Sequence, residues 1–287
     1  KTGGRLWTEW QAGKPKTLRV SLQNADALGA YQNRPITVSA LNADLSLRLQ
    51  QAGWEAALMP RDGRVNGQVL PWRVLISGKQ GDDWSLGGQA LHLQPLTDLL
   101  RQFPLPPKLD TLLTELKPVG YLPAFSLRWR QAPDQPWILQ LLKADIRQLS
   151  WQATRDIPGA QGLNGWVSWR DGVGNAALNM SGGVLDLKPV FREPTPVTAL
   201  SARFSFRRLA DAWLIRSNRI QVQNGDATGE ALLSLWIPRE APGRARMQLL
   251  AGLHDGRVDS VWRYVPWPSA GDDTLAGGDG RDRLYGG

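Results

Sequence analysis

Apolar and polar residues alternate along much of the chain. In the segment 41–50 the odd positions are leucine or alanine, whereas the even positions are polar or charged. The same alternation recurs at 18–22, 125–130 and 200–207. Because successive side chains of a strand point to opposite faces of a sheet, each segment predicts a strand with one apolar and one polar face. The pattern therefore predicts a mainly β protein.

Short glycine-containing pairs separate these segments and predict hairpin turns. They are Asp62-Gly63, Gly81-Asp82, Asp171-Gly172 and Asn224-Gly225. A strand with one solvated face is typical of an antiparallel sheet, since parallel sheets are covered on both faces. The periodicity alone leaves open whether the sheet is a closed barrel, a sandwich or an open curved sheet with a groove.

One region, near residues 96–117, departs from the strand pattern. Leucines recur there at helical spacing, and the prolines at 104, 106, 107 and 118 bound two pieces, 96–103 and 109–116. The spacing predicts two short helices packed beside the sheet.

Composition narrows the chemistry that the chain can perform. Among 287 residues there is no cysteine, and there are two histidines. These counts exclude disulfides, thiol nucleophiles, cysteine-ligated zinc and iron–sulfur clusters, and they leave little room for histidine-based catalysis. No pair of carboxylates stands out as an acid and a base, so a hydrolase acting on envelope glycans is disfavoured. The sequence predicts a protein that is not an enzyme.

The chain is basic, with 34 Lys+Arg against 26 Asp+Glu and a formal net charge of +8. Its arginines are scattered over strand faces predicted to be polar, without a recognition helix or a dense basic run, so nucleic acid is not expected as a partner. A basic sheet face could attract anionic lipid headgroups, and a merely solvated face is the alternative. The arginines on which this interpretation depends are Arg203, Arg207, Arg208, Arg216 and Arg219.

A series of short motifs, in order, resembles the YhdP branch of the AsmA-like envelope proteins. Upstream, the motifs are GQVLPWRVL at 67–75, the leucine run 91–100 that leads into the helices, and the P-x-G restart at 118–120. Downstream they are 162–169, 183–194 with its VFREP turn, 200–206, Trp213, 224–230 and the VWRYVP segment 261–266. The resemblance spans residues 1–268.

The resemblance implies a long, curved, open, groove-like antiparallel sheet with an apolar inner face. In that family the face is thought to carry phospholipid acyl chains through the periplasm, from an inner-membrane anchor toward the outer membrane. The expected partners are phospholipid and the cell-envelope membranes, and no cofactor is expected for this segment. The alternative for each candidate groove residue is an ordinary core position of a closed sheet. The candidates are Leu45, Leu47, Phe125, Leu127, Trp129, Phe204 and Phe206.

The residues from 269 to 287 form a separate Gly/Asp-rich tail. The block 277–285 fits the calcium-binding RTX nonapeptide, and 268–276 fits it in part. The resemblance implies that Asp273 and Asp282 supply carboxylates to Ca²⁺ and that Leu275 and Leu284 point inward. Two repeats cannot complete a site, so weak Ca²⁺ binding at best is expected. The alternative function is therefore a secreted, extracellular RTX-type calcium-binding protein with an upstream β adhesion or passenger module.

Overall fold

The computed structural model describes residues 3–132, 137–154, 157–187, 193–240, 245–254, 256, 275–276 and 283–284. Within these ranges, sixteen strands form one antiparallel sheet, and two short helices interrupt it. The sheet is not a closed barrel, because β1 at one end of the strand order pairs with β2 alone. These findings confirm the predicted mainly β fold with an open antiparallel sheet and two helices.

The chain divides into two compact units. Unit 1 comprises residues 1–147 and 166–174, and unit 2 comprises residues 148–165 and 175–287. Strands β9 (Ile138–Trp151), β10 (Gly159–Arg170) and β11 (Val173–Asp186) contribute residues to both units.

Most of unit 1 is a series of antiparallel strands joined by tight hairpins. The strands are hydrogen-bonded in the order β1-β2-β3-β4-β6-β7-β8, and β5 pairs with β4. Their bounds are β1 Gly3–Gln11, β2 Lys14–Tyr31, β3 Arg34–Gln50, β4 Gly53–Val65, β5 Gln68–Val69, β6 Val74–Gln80, β7 Asp83–His92 and β8 Val119–Arg130.

The helices of unit 1 connect β7 to β8. Helix α1 (Leu93–Leu100) buries Leu99 and contacts β5, β7 and β8. Helix α2 (Pro107–Leu116) starts on a proline, which is favourable at a first helical position because the missing N–H has no intrahelical partner there. Both helices begin slightly earlier than the leucine spacing predicts.

Unit 2 continues with strands β12 Thr195–Arg208, β13 Ala212–Ser217, β14 Ile220–Gln223, β15 Thr228–Pro238 and β16 Arg246–His254. A small antiparallel pair, β17 (Leu275–Ala276) with β18 (Arg283–Leu284), follows. The buried core of unit 2 contains Ala160, Leu163, Met180 and Val197.

A paired β-bulge locks β2 to β3 in unit 1. Asn24 and Ala40 have left-handed backbones, with φ of 48° and 50°. Asn24 N–H donates to Asn42 Oδ1 at 2.9 Å, and Ala40 N–H donates to Asp26 Oδ1 at 2.8 Å. Asn42 Nδ2 also donates to the Ala40 carbonyl at 3.3 Å. Side chains thus satisfy the backbone groups that each bulge removes from the ladder.

The same bulge recurs in unit 2 with different residues. Gln148 (φ 52°) donates its N–H to Asn164 Oδ1 at 3.0 Å, and Gly162 (φ 84°) donates to Ser150 Oγ at 3.0 Å. Asn164 Nδ2 donates to the Gly162 carbonyl at 3.1 Å. An asparagine two residues after a left-handed residue therefore plays the same part in both units.

One predicted turn is wrong. Asp62 and Gly63 lie inside β4, where Gly63 has φ 141° and donates its N–H to Asp62 Oδ1 at 2.7 Å. A Cβ atom at residue 63 would lie 3.0 Å from Leu41 Cα, and this φ is strained for any residue with a side chain, so the bulge favours glycine. The chain turns instead at Asn66-Gly67, whereas the turns at 81–82 and 171–172 occur as predicted.

Candidate functional site

Strand register places the unit 1 candidates on one face of the sheet. Residues directly opposite each other in antiparallel strands project to the same side, so cross-strand partners define rows of side chains. We call the resulting surface the apolar face of unit 1, and it consists of three rows. The first row is Val20, Leu45, Leu58, Leu75, Gly88 and Phe125. The second row is Leu18, Leu47, Ala56, Ser77, Leu86 and Leu127. The third row is Leu49, Trp54, Lys79, Trp84 and Trp129.

The first and second rows form an uncharged strip across six strands, in which every residue but Ser77 is apolar or glycine. At a strand spacing of about 4.8 Å, each row is about 24 Å long. Within the rows of this face, Ser77 and Lys79 are the polar members. The five unit 1 candidates, Leu45, Leu47, Phe125, Leu127 and Trp129, are all half-buried rather than fully covered.

Gly88 creates space within the first row. A Cβ atom at residue 88 would lie 2.7 Å from Phe125 Cε1, so the phenyl ring occupies the place of a side chain. The ring fills a gap that glycine would otherwise leave in the apolar strip.

The third row is aromatic and lies where the hairpins turn. Trp84 and Trp129 stack with ring centroids 6.3 Å apart, and Trp54 meets Trp84 edge-on at 6.2 Å. Lys79 Nζ lies 4.9 Å from the Trp84 ring centroid, within cation–π distance. The helices follow the C-terminal end of β7, whereas Trp84 lies near its N-terminal end. Of the three rows, the aromatic third row therefore lies farthest along β7 from the helices.

The opposite face of unit 1 carries paired charges. Arg48 and Glu55 lie 4.0 Å apart, and Arg61 lies 3.4 Å from Asp44. A unit 1 concavity of about 680 Å³ is lined mainly by side chains of this face and also touches Leu45 and Leu47. A second concavity, of about 440 Å³, lies beside Phe125, Ser126 and Trp166.

On the same polar face, Arg130 and Asp83 form an ion pair with a shorter distance than the two above. Arg130 Nε donates to Asp83 Oδ1 at 2.8 Å, and Gln140 Nε2 donates to the same oxygen at 3.3 Å. The hydrogen bond from Arg130 holds the pKa of Asp83 below its ordinary value. Because both side chains are well exposed, the pair fixes a hairpin end and adds little stability.

Unit 2 has an apolar face of its own, which contains the other two candidates. Phe204 and Phe206 stack with centroids 6.5 Å apart. Cross-strand partners continue this face over β13, β15 and β16. In its last row, Arg208 lies opposite Trp213. The rows are Phe204, Ser217, Leu233 and Leu249; Phe206, Ile215, Leu235 and Met247; and Arg208, Trp213 and Ile237.

One sequence interpretation needs correction in unit 2. Arg208 is opposite Trp213, on the face of Phe206, and not on the polar face where its neighbours Arg203, Arg207 and Arg216 lie.

The proposed calcium ligands cannot be examined in the same way. Asp273 and Asp282 lie outside the described residues. Leu275 pairs with Leu284 in an antiparallel strand pair. In the part of the chain that is described, no group of three or more His, Asp or Glu side chains could hold a metal ion. Calcium binding by the tail stays a prediction.

A family model described as YhdP protein matches residues 1–276. The chain belongs to the YhdP family. The match reaches through 268–276, the first of the two nonapeptide blocks. Comparison with curated proteins gives no match, and comparison with solved structures gives none either.

Membership of the YhdP family supports a bacterial envelope protein of the AsmA-like, lipid-transport type. Among the described residues, no helix combines the length and the apolar character needed to cross a bilayer.

Proposed function

We propose that this YhdP-family chain is a non-enzymatic segment of a periplasmic AsmA-like protein that shields phospholipid acyl chains during transport between the inner and outer membranes. The observation that supports this proposal is the apolar strip of unit 1, in which two rows that contain no charged side chain extend across six strands. In the full-length protein, an inner-membrane anchor would fix one end of the path.

The strip suits an acyl chain in chemistry. Moving one methylene from water to an apolar surface recovers about 0.8 kcal/mol, so affinity grows with the number of methylenes that the strip covers. Leu47 and Leu127 supply branched alkyl surface at opposite sides of the second row. The phosphate and other polar headgroup atoms need no apolar cover and can remain in water.

Native mass spectrometry of detergent-free protein, exported to the periplasm of a Gram-negative host, tests the proposal. We expect the wild-type chain to carry phospholipid, because half-buried leucines need a cover in water. Leu127→Asp places a carboxylate in the second row and should release the lipid. Arg128→Asp, at the next residue on the opposite face, is the matched control and should retain it.

Two outcomes would contradict the proposal. Wild-type protein that elutes without phospholipid would show that the apolar faces do not hold lipid. Equal lipid retention by the two aspartate variants would show that lipid, if present, binds elsewhere.

A further inference from the structure

Lys79 is the one charged residue in the three rows of the unit 1 apolar face. Strand register places it between Trp54 and Trp84 in the third row of the unit 1 apolar face. Its Nζ atom lies 4.9 Å from the Trp84 ring centroid. Among the described residues, no carboxylate or hydrogen-bond acceptor pairs with this ammonium group, and the side chain is half-buried.

Three arginines of the opposite face do have anionic partners. Arg48, Arg61 and Arg130 lie 4.0 Å, 3.4 Å and 2.8 Å from Glu55, Asp44 and Asp83, respectively. Lys79 is thus set apart from these arginines both by its face and by its lack of a counter-ion in the described part of unit 1. Placing an unpaired ammonium beside apolar rows costs desolvation, unless an anion joins it there.

We propose that Lys79 binds the phosphate group of a phospholipid whose acyl chains lie on the first and second rows. This inference rests on the proposed function and names the headgroup subsite of the same surface. Leu86 and Leu127 lie two residues along their strands from Trp84 and Trp129, so acyl chains that run along the strand direction over the first two rows bring their polar end to the third row. Lysine binds phosphate as a point charge, and the flanking indoles fit the boundary between alkyl chains and water.

Unit 2 supplies an independent example of the arrangement. Arg208 is directly opposite Trp213, one row beyond Phe206 and Ile215, at the hairpin end of its own apolar face. A cation beside tryptophan therefore ends the apolar rows of each unit.

The test measures lipid binding by the full chain with calorimetry, using three probes. Dihexanoylphosphatidylglycerol carries chains and phosphate, dihexanoylglycerol carries chains alone, and inorganic phosphate carries the anion alone. Removal of a charged hydrogen-bond partner in Lys79→Gln should weaken binding of the phosphatidylglycerol about tenfold. Lys79→Arg should keep most of the affinity, and Lys108→Gln, an exposed lysine of α2, should keep all of it.

Dihexanoylglycerol should bind the wild type and Lys79→Gln equally, because neither side chain meets a phosphate. Equal weakening of both lipids in Lys79→Gln would overturn the inference and make Lys79 a packing residue. An unchanged affinity for phosphatidylglycerol would also overturn it, and so would inorganic phosphate that binds as tightly as the lipid. If the wild type binds neither lipid, the proposed function fails as well, which is a separate result.

Discussion

The same alternating pattern gives a buried core in unit 2 and a half-buried apolar face in unit 1. In unit 2, Leu163 and Met180 are 5 % and 2 % exposed and belong to a buried core. In unit 1, Leu47 and Leu127 lie in long rows and remain half-buried. Alternation therefore determines which face of a strand is apolar, whereas the tertiary structure determines whether other residues cover that face.

The backbone does not explain the difference. Both units contain the paired bulge, with Asn42 bridging the strands in unit 1 and Asn164 in unit 2. The two units therefore share a way of holding strand register, and the contrast lies between the buried cluster of unit 2 and the half-buried apolar rows of unit 1. This contrast separates side chains that stabilise the fold from side chains available to a ligand.

The largest expected effect comes from truncating one leucine to alanine in each unit. Leu163→Ala should lower the free energy of unfolding by about 3 kcal/mol, because it leaves a cavity in a closed core. Leu127→Ala should lower it by about 1 kcal/mol, because the alkyl group already meets solvent. Urea titrations with unchanged m-values would measure both changes.

Equal losses of stability in the two alanine variants would break the comparison. In that case Leu127 would be an ordinary core residue, and the apolar face of unit 1 would be needed for folding rather than free for lipid.

A smaller and equal effect is expected from the two bridging asparagines. Asn42→Ala and Asn164→Ala each remove two hydrogen bonds from a bulge, at a cost of about 1 kcal/mol. Amide hydrogen exchange gives the location of the loss: the Asn24 amide should exchange faster in the first variant, and the Gln148 amide in the second. Asn179→Ala, at an exposed position of β11, is the control and should leave both amides protected.

Exchange that stays slow at both amides would show that the asparagine side chains are not needed to hold the bulges. A loss in one variant alone would limit the shared device to one unit.

The sequence predicts the faces of the strands well, because parity depends on adjacent residues alone. Phe125, Leu127 and Trp129 share a face, and so do Phe204 and Phe206. The sequence does not predict the register between neighbouring strands, because the register depends on hairpin length and bulges. The Asn24–Asn42 and Gln148–Asn164 hydrogen bonds join residues 18 and 16 positions apart, with no local signal.

One wrong prediction and one omission differ in their physical origin. Asp62-Gly63 has the composition of a turn, yet it forms a bulge in β4 beside Leu41 of β3, a residue distant in sequence. The omission is Lys79, which lies between Trp54 and Trp84 on the apolar face. Counting alternation forward from Leu75 finds it, because residues 75, 77 and 79 share a side.

The most direct test of the central claim is face-resolved photocrosslinking in cells. A benzoylphenylalanine placed at Leu47 or Leu127 projects from the apolar face of unit 1, and one at Ser46 or Ser126 projects from the opposite face. We expect phospholipid adducts from the first pair and none from the second. Adducts from both faces alike, or from neither, would contradict the claim that this apolar face carries lipid.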